Sequence, residues 1–278
     1  MAWSTEPPTT PLLDYASGLR FETPPNEELY RRHALAVSSQ LARDPPPTSD
    51  CSRTLGAARF AGLFDDLAAA RSALGDERGA IEAYEGALGC NPRALHLHAG
   101  LAEELLHEGR PADARAAAER GLAIDPADYH AASVLARIDF IEERWPQAIE
   151  RMRSIVAATE DPERATYWEC FLWLAQLRSG VARPELVERS LTDEWPGPIL
   201  ATLRGETSEQ QLLAAIEGQA SERRRREMLV EALYYIGERR LTAGQAAVAR
   251  GYFAAAVNLK VLYFIEHHMA RAELARMQ

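Results

Sequence analysis

The chain has 278 residues, 47% of them apolar, and carries a formal net charge of −10. That length holds one extended array or two modest domains with a real core. The acidic balance argues against a nucleic-acid role, which needs a basic face to neutralise phosphates, and no apolar run approaches the ~18 residues of a membrane span.

In chain order, residues 1–50 read as a Pro-rich arm plus one helix. Pro7, Pro8, Pro11, Pro24, Pro25 and Pro45–Pro47 crowd this part, and Met1–Pro25 is expected to lack regular structure. Asn26 is a candidate N-cap for Glu27–Arg43, with Glu27 and Glu28 in the first turn, where the helix dipole favours acids. Leu29, His33, Leu35, Val37 and Leu41 form its rough apolar stripe, and the Asp44–Pro47 stretch ends it. Ser49 or Asp50 is the expected cap of the next helix.

The next stretch repeats itself. Gly75, Ala80, Tyr84, Ala87 and Pro92 are followed by Gly109, Ala114, Ala118, Gly121 and Pro126, each landmark displaced by 34 residues. A period of that length is a helix–turn–helix unit that buries its apolar face only by stacking on neighbours. Residues 51–162 therefore read as three repeats beginning at Ala61, Leu95 and Tyr129. The third keeps Leu135, Ala136 and Ala148, but Met152 and Ile155 replace the expected aromatic and small residues, and the proline slips to Pro162.

Residues 163–229 interrupt the period. The apolar helix ERATYWECFLWLAQLRSG is followed by RPELVERSL, DEWPGPILATLRG and SEQQLLAAIEGQ, short helices separated by Pro and Gly. Residues 230–278 restore it through Leu233, Ile236, Gly237, Gly244, Ala249, Phe253 and Ala256, and close with a capping helix, IEHHMARAELARM. No segment alternates with period two, so no sheet is expected.

These landmarks resemble the tetratricopeptide repeat (TPR) family. The resemblance implies an all-α fold, an α-α superhelix of helix–turn–helix repeats with an irregular helical insert and a C-terminal capping helix. Trp195, Gly205, Ser208, Tyr235, Gly237, Phe253, Glu266, His267, Glu273 and Leu274 resemble the C-terminal half of NlpI-like bacterial TPR lipoproteins, over roughly Arg59–Met277. That family implies a dimeric, non-enzymatic adaptor docking hydrolases onto a protease in the periplasm. Here Met1–Phe21 shows neither the basic nor the apolar region of a signal peptide, and Cys51 lacks a lipobox context. The expected location is cytoplasmic, or periplasmic if the natural start lies elsewhere. Arginine supplies nearly every cation, Lys260 being the only lysine, which reads as high-GC bacterial coding bias.

Candidate chemistry is sparse. Cys51, Cys90 and Cys170 include no CxxC pair and read as buried free thiols. His96/His98 and His267/His268 have the wrong spacing for one ligating helix face, so no metal or other cofactor is expected. No nucleophile elbow, Walker loop or dinucleotide fingerprint occurs, and no catalytic residue is assigned. Arg223–Arg226 spreads around a helix circumference and reads as solvated surface.

The concave face of such an array is lined by positions 2, 5, 9 and 12 of each first helix. These are Gly62, Asp65, Ala69 and Ser72; His96, Ala99, Glu103 and Leu106; His130, Ser133, Arg137 and Phe140. The Lys/Asn clamp for a C-terminal carboxylate is missing from this set. His96, Glu103, His130, Arg137 and Phe140, with Tyr234 and Glu238 from the last repeat, are the expected groove for a protein or peptide partner. Trp168, Trp173 and Trp195 are candidate interface residues for a homodimer or between segments, against the commoner reading as core. The expected function is a non-enzymatic adaptor or scaffold; the alternatives are an accessory subunit of a biosynthetic or peptide-modifying enzyme and a self-associating dimeric scaffold.

Overall fold

The computed structural model of the protein describes residues 10–19, 27–47, 49–186 and 194–278, and every regular element among them is an α-helix. The chain divides into two compact units, Thr23–Ile155, and Met1–Glu22 together with Val156–Gln278. Contrary to the expected irregular arm, Pro11–Gly18 forms a helix, α1, with proline in its first turn.

In the Thr23–Ile155 unit, α2 (Glu27–Arg43) leads into α3 (Ala57–Ala73), α4 (Glu77–Cys90), α5 (Leu95–His107), α6 (Pro111–Ile124), α7 (Tyr129–Ile141) and α8 (Trp145–Ala158). The pairs α3/α4 and α5/α6 pack antiparallel, and α4 on α5 and α6 on α7 continue the stack. Small residues make this close approach possible. Ala68, Ala102 and Ala136, at position 8 of successive repeats, are fully buried, as are Ala80, Ala114 and Ala148 at position 20. Tyr84 of α4 lies over the next first helix at Gly100, where a Cβ would fall 2.6 Å from the ring. Leu101, Leu105, Val134, Leu135 and Ile138 fill the shared core.

The other unit holds α9 (Pro162–Arg178), α10 (Gly197–Arg204), α11 (Glu209–Glu217), α12 (Glu222–Thr242), α13 (Ala246–Asn258) and α14 (Ile265–Arg276). The pair α12/α13 repeats the geometry of the first unit's hairpins: Gly237, at position 8, faces the Phe253 ring at 2.7 Å from its would-be Cβ, and Ala249 is fully buried. α14 packs on both, and α1 packs on α11, α12 and α13. Side-chain caps fix where several helices start. Asp76, Asp128, Asp161 and Ser221 each accept from backbone amides of the following first turn, and Ser208 and Gln211 form a reciprocal capping box.

Several local expectations change. α3 begins at Ala57 behind a left-handed Gly56, so neither Ser49 nor Asp50 caps it. The stripe on α2 is only half used: Val37 and Leu41 are buried, while Leu29 and Leu35 face solvent. Residues 183–186 of RPELVERSL are not helical; its remaining residues, like the expected cap Asn26, lie outside the described residues. Cys51 and Cys90 are not free thiols. They form a disulfide across 39 residues of chain, whereas Cys170 is free and buried as expected.

The turn between the helices of each hairpin is left-handed at repeat position 15. Gly75, Gly109 and Gly244 sit there with φ of 72°, 81° and 75°, and the third repeat places Glu143 in the same turn with φ 56°. A side chain in that conformation costs about 1 kcal/mol that glycine avoids. Glu143→Gly is therefore expected to raise stability by about 1 kcal/mol, read as a higher urea midpoint with an unchanged m-value.

Candidate partner-binding groove

The first helices of the repeats, α3, α5 and α7, bring the expected groove positions side by side, but they do not treat them alike. His96 is exposed at the start of α5 and lies 3.3 Å from Asp65 of α3, whose side chain is about a third exposed (35%). His130 is exposed in the first turn of α7, where Asp128 accepts from its backbone amide. Glu103 is partly exposed and accepts from the buried Arg137 guanidinium at 2.8 Å, one full repeat away in sequence. Beside it His107 stands 3.5 Å from Glu103 and 3.8 Å from Glu104, and Glu104 accepts from Ser72 of α3 at 2.6 Å. A polar ladder thus crosses the three helices from Ser72 through Glu104, His107 and Glu103 to Arg137.

The electrostatics along this ladder are uneven. Burial opposes ionisation of Glu103, yet the Arg137 and His107 charges and hydrogen bonds outweigh it and hold the carboxyl well below the usual carboxylate range. Glu104 is pushed the other way, chiefly by burial, with Ser72 and His107 only partly offsetting it.

Two expected groove residues are corrected here. Phe140 is fully buried, its ring edge-on to Trp145, and Arg137 is 1% exposed. Ser133 through Phe140 are buried without a break, so α7 offers a partner little beyond His130. Asp139, one position past the repeat's core residues, is also buried and accepts from Arg115 of α6 and Arg151 of α8. The charges of α7 hold helices together.

In the other unit, Tyr234 and Glu238 are likewise fully buried and are corrected as surface groove residues. Glu238 accepts from Arg178 of α9 at 2.8 Å, and the same guanidinium nitrogen stands 3.8 Å from Glu273 of α14. Two turns earlier on α12, Glu231 accepts from the Tyr167 hydroxyl at 2.7 Å and from the Trp195 indole, with Glu266 of α14 supplying a second negative charge. Burial, then the neighbouring carboxylate, pushes Glu231 and Glu238 each up to about 8. Trp168 is buried against Phe171, and Trp195 faces inward through its Glu231 bond; Trp173 is half-buried.

Other clusters lead away from chemistry. Among the described residues no group of three or more His, Cys, Asp or Glu side chains is placed to hold a metal ion. The arginine run has local partners: Arg223 and Arg224 pair with Glu227, Arg225 donates to the Gln219 carbonyl and Arg226 to the Leu259 carbonyl. A cavity of about 390 Å³ is lined by Leu177, Arg178, Leu241, Thr242, Glu273, Arg276 and Met277, and one of about 230 Å³ by residues around Ser208 and Arg239; Glu231 lines neither. No helix among the described residues is long and apolar enough to cross a membrane.

The tetratricopeptide repeat family model matches residues 72–138 and, overlapping them, 105–169. This part of the chain is a TPR array. No curated protein matches the chain. Solved structures similar to it include the MamA protein, 19% identical, covering 73% of this chain and 92% of that one, with a TM-score of 0.40. YrrB, titled a TPR protein with an unusual peptide-binding site, is 13% identical, with 86% and 97% covered and a TM-score of 0.41. The pilF protein of Pseudomonas aeruginosa is 17% identical, with 79% and 100% covered and a TM-score of 0.46.

The buried acids and Arg137 have consequences for stability. Arg137→Met keeps the bulk of the stem but strands Glu103, and is expected to cost about 3 kcal/mol; adding Glu103→Met should recover most of it in a urea double-mutant cycle. The second concerns pH. In the unfolded chain Glu231 and Glu238 lose their protons near the ordinary value of about 4.3, but in the folded protein only near 8. Between those limits the folded state binds more protons, so their contribution is full in acid and falls as pH rises towards 8. Glu103 does the opposite: held below the ordinary carboxylate range, its contribution is present at neutral pH and is lost as pH falls. Hydrogen exchange should show α12 and α14 opening more readily at pH 8.5 than at pH 5.5, and Glu231→Gln with Glu238→Gln should flatten that dependence.

Proposed function

We propose that this TPR chain is a non-enzymatic adaptor whose Thr23–Ile155 unit docks a segment of a partner protein on the inner face of α3 and α5. The observation that carries this reading is the selective exposure along those helices. Asp65, Ala69, His96 and Glu103 remain open, with His130 beside them, while the matching surface of α7 is buried. Gly62 and Ala69 leave room for a backbone to approach, and the carboxylates of Asp65 and Glu103 supply acceptors at its edge. Such a strip favours an extended or helical segment carrying basic side chains.

The acids held protonated to the highest pH fit the non-enzymatic reading. Glu231 and Glu238 are fixed by Tyr167, Trp195 and Arg178 inside the unit, and neither lines a described cavity where a substrate could meet it. The resemblance of the C-terminal residues to NlpI-like adaptors points the same way.

The test is an arrayed peptide library probed with the purified chain. Wild type is expected to retain peptides enriched in Lys and Arg, and the paired changes Asp65→Lys and His96→Ala should weaken the best of them at least tenfold. Both positions are exposed or half-exposed, so circular dichroism should be unchanged. Equal retention by the variant would remove this face from consideration.

A further inference from the structure

The disulfide between Cys51 and Cys90 has a position that suits a control element. Cys51 lies in the connector between α2 and α3, and Cys90 is the last residue of α4, at the turn that leads into α5. The connector is pressed onto the end of α4: the Ser49 carbonyl oxygen lies 2.1 Å from where a Cβ on Gly89 would stand, so only glycine allows the crossing. Thr54 folds back onto the Cys51 carbonyl through both its amide and its hydroxyl, closing the connector into a compact turn.

α2 lies along α3, but its buried side chains are confined to one half. Of its 17 residues only Val37 and Leu41 are buried, both in its second half, packed with Phe60, Ala61 and Leu67 of α3. Leu29, Tyr30 and Leu35 are exposed, and Asp44, just past its C-terminal end, ties to Arg59 of α3 through an exposed ion pair. A helix of that length is marginal in water without tertiary support. The disulfide anchors the connector on which that support depends.

We propose that the Cys51–Cys90 disulfide is a redox latch that keeps α2 seated on α3, and that a dithiol reductant releases it. The thiolate of the dithiol attacks the sulfur of Cys90, the less enclosed of the two residues at 4% exposure, because the Asp50 carboxylate next to Cys51 repels an incoming anion. The Cys51 sulfur leaves as a thiolate and takes up a proton. The second thiol of the dithiol then resolves the mixed disulfide, freeing Cys90 as a thiol. Two electrons pass from the dithiol, which ends as its own disulfide, and Cys51 and Cys90 end reduced. With the latch open, α2 exchanges between seated and detached forms, and the apolar edge of α3 around Phe60 and Ala61 is uncovered. The repeats from α5 onward keep their own cores and are unaffected.

Hydrogen exchange with mass spectrometry, on the full chain with and without dithiothreitol, tests this. Reduction is expected to speed exchange across α2 at least tenfold while α5 and α6 hold their protection. Cys51→Ser with Cys90→Ser should show the fast α2 under both conditions, and Cys170→Ala should respond as wild type does. An α2 equally protected in both states overturns the latch. So does loss of protection throughout the unit, which would make the bond a general staple, and so does an intact mass showing both thiols free after air oxidation.

Discussion

The structure depends on a charge-pairing constraint imposed by repetition. Successive first helices lie side by side, so a residue at one repeat position faces the same position one repeat on. Glu103 and Arg137, both at position 9, meet at 2.8 Å with the arginine almost wholly enclosed. In the second unit Glu238 occupies position 9 of its repeat and is met by Arg178 of α9. An unpaired guanidinium at such a depth would cost several kcal/mol, so Arg137 and Arg178 each need an acidic partner across the seam. The pairing also selects register, because sliding one helix by a turn would leave both charges without partners.

The same constraint explains which parts of the fold were legible. Small residues at positions 8 and 20 recur at a fixed spacing and have a purely local meaning, the close approach of two helices, so reading them as repeat landmarks succeeds. The end of α4 shows the limit of that method. Nothing in the spacing of Cys51 and Cys90 marks them as partners, since one lies in a connector outside the repeat frame. Only the folded path of the connector over Gly89 brings the sulfurs together. The helix at Pro11–Gly18 was hidden for a related reason. Its flanking prolines read as breakers, yet one of them starts the helix, and its packing on α11, α12 and α13 comes from residues far along the chain.

The groove was the least legible feature. A position number says which face of its own helix a residue occupies, and says nothing about whether that face stays open. At position 9 the assignment yields the partly exposed Glu103 on α5 but the enclosed Arg137 on α7, and at position 12 the half-buried Leu106 on α5 but the enclosed Phe140 on α7; only position 2 stays open in both, as His96 and His130. Sequence carried one clue that was available. An arginine set one repeat from a glutamate, in a stretch from Val134 to Ile141 that is apolar apart from it and Asp139, is better explained by a partner inside the protein than by one outside it.

The interruption of the repeat, residues 163–229, has a structural role that its irregular sequence obscures. From it come Tyr167 and Trp195, which donate to Glu231, Arg178, which bridges Glu238 and Glu273, and Glu209, which accepts from Arg240 and from Tyr252. Each of these partners lies on α12, α13 or α14, the repeat that resumes afterwards. A regular second helix would bring small apolar residues to this seam and leave the acids of α12 and α14 facing one another with neither donor nor counter-charge. Instead α9 delivers Tyr167 and Arg178, the segment before α10 delivers Trp195 and the start of α11 delivers Glu209, so polar side chains arrive from several directions, which a single straight helix cannot do. The lost periodicity is therefore the local solution to acids buried on α12, at Glu231, where the other repeats place Gly62, His96 and His130, and at Glu238, where they place Ala69 or the Glu103–Arg137 ion pair.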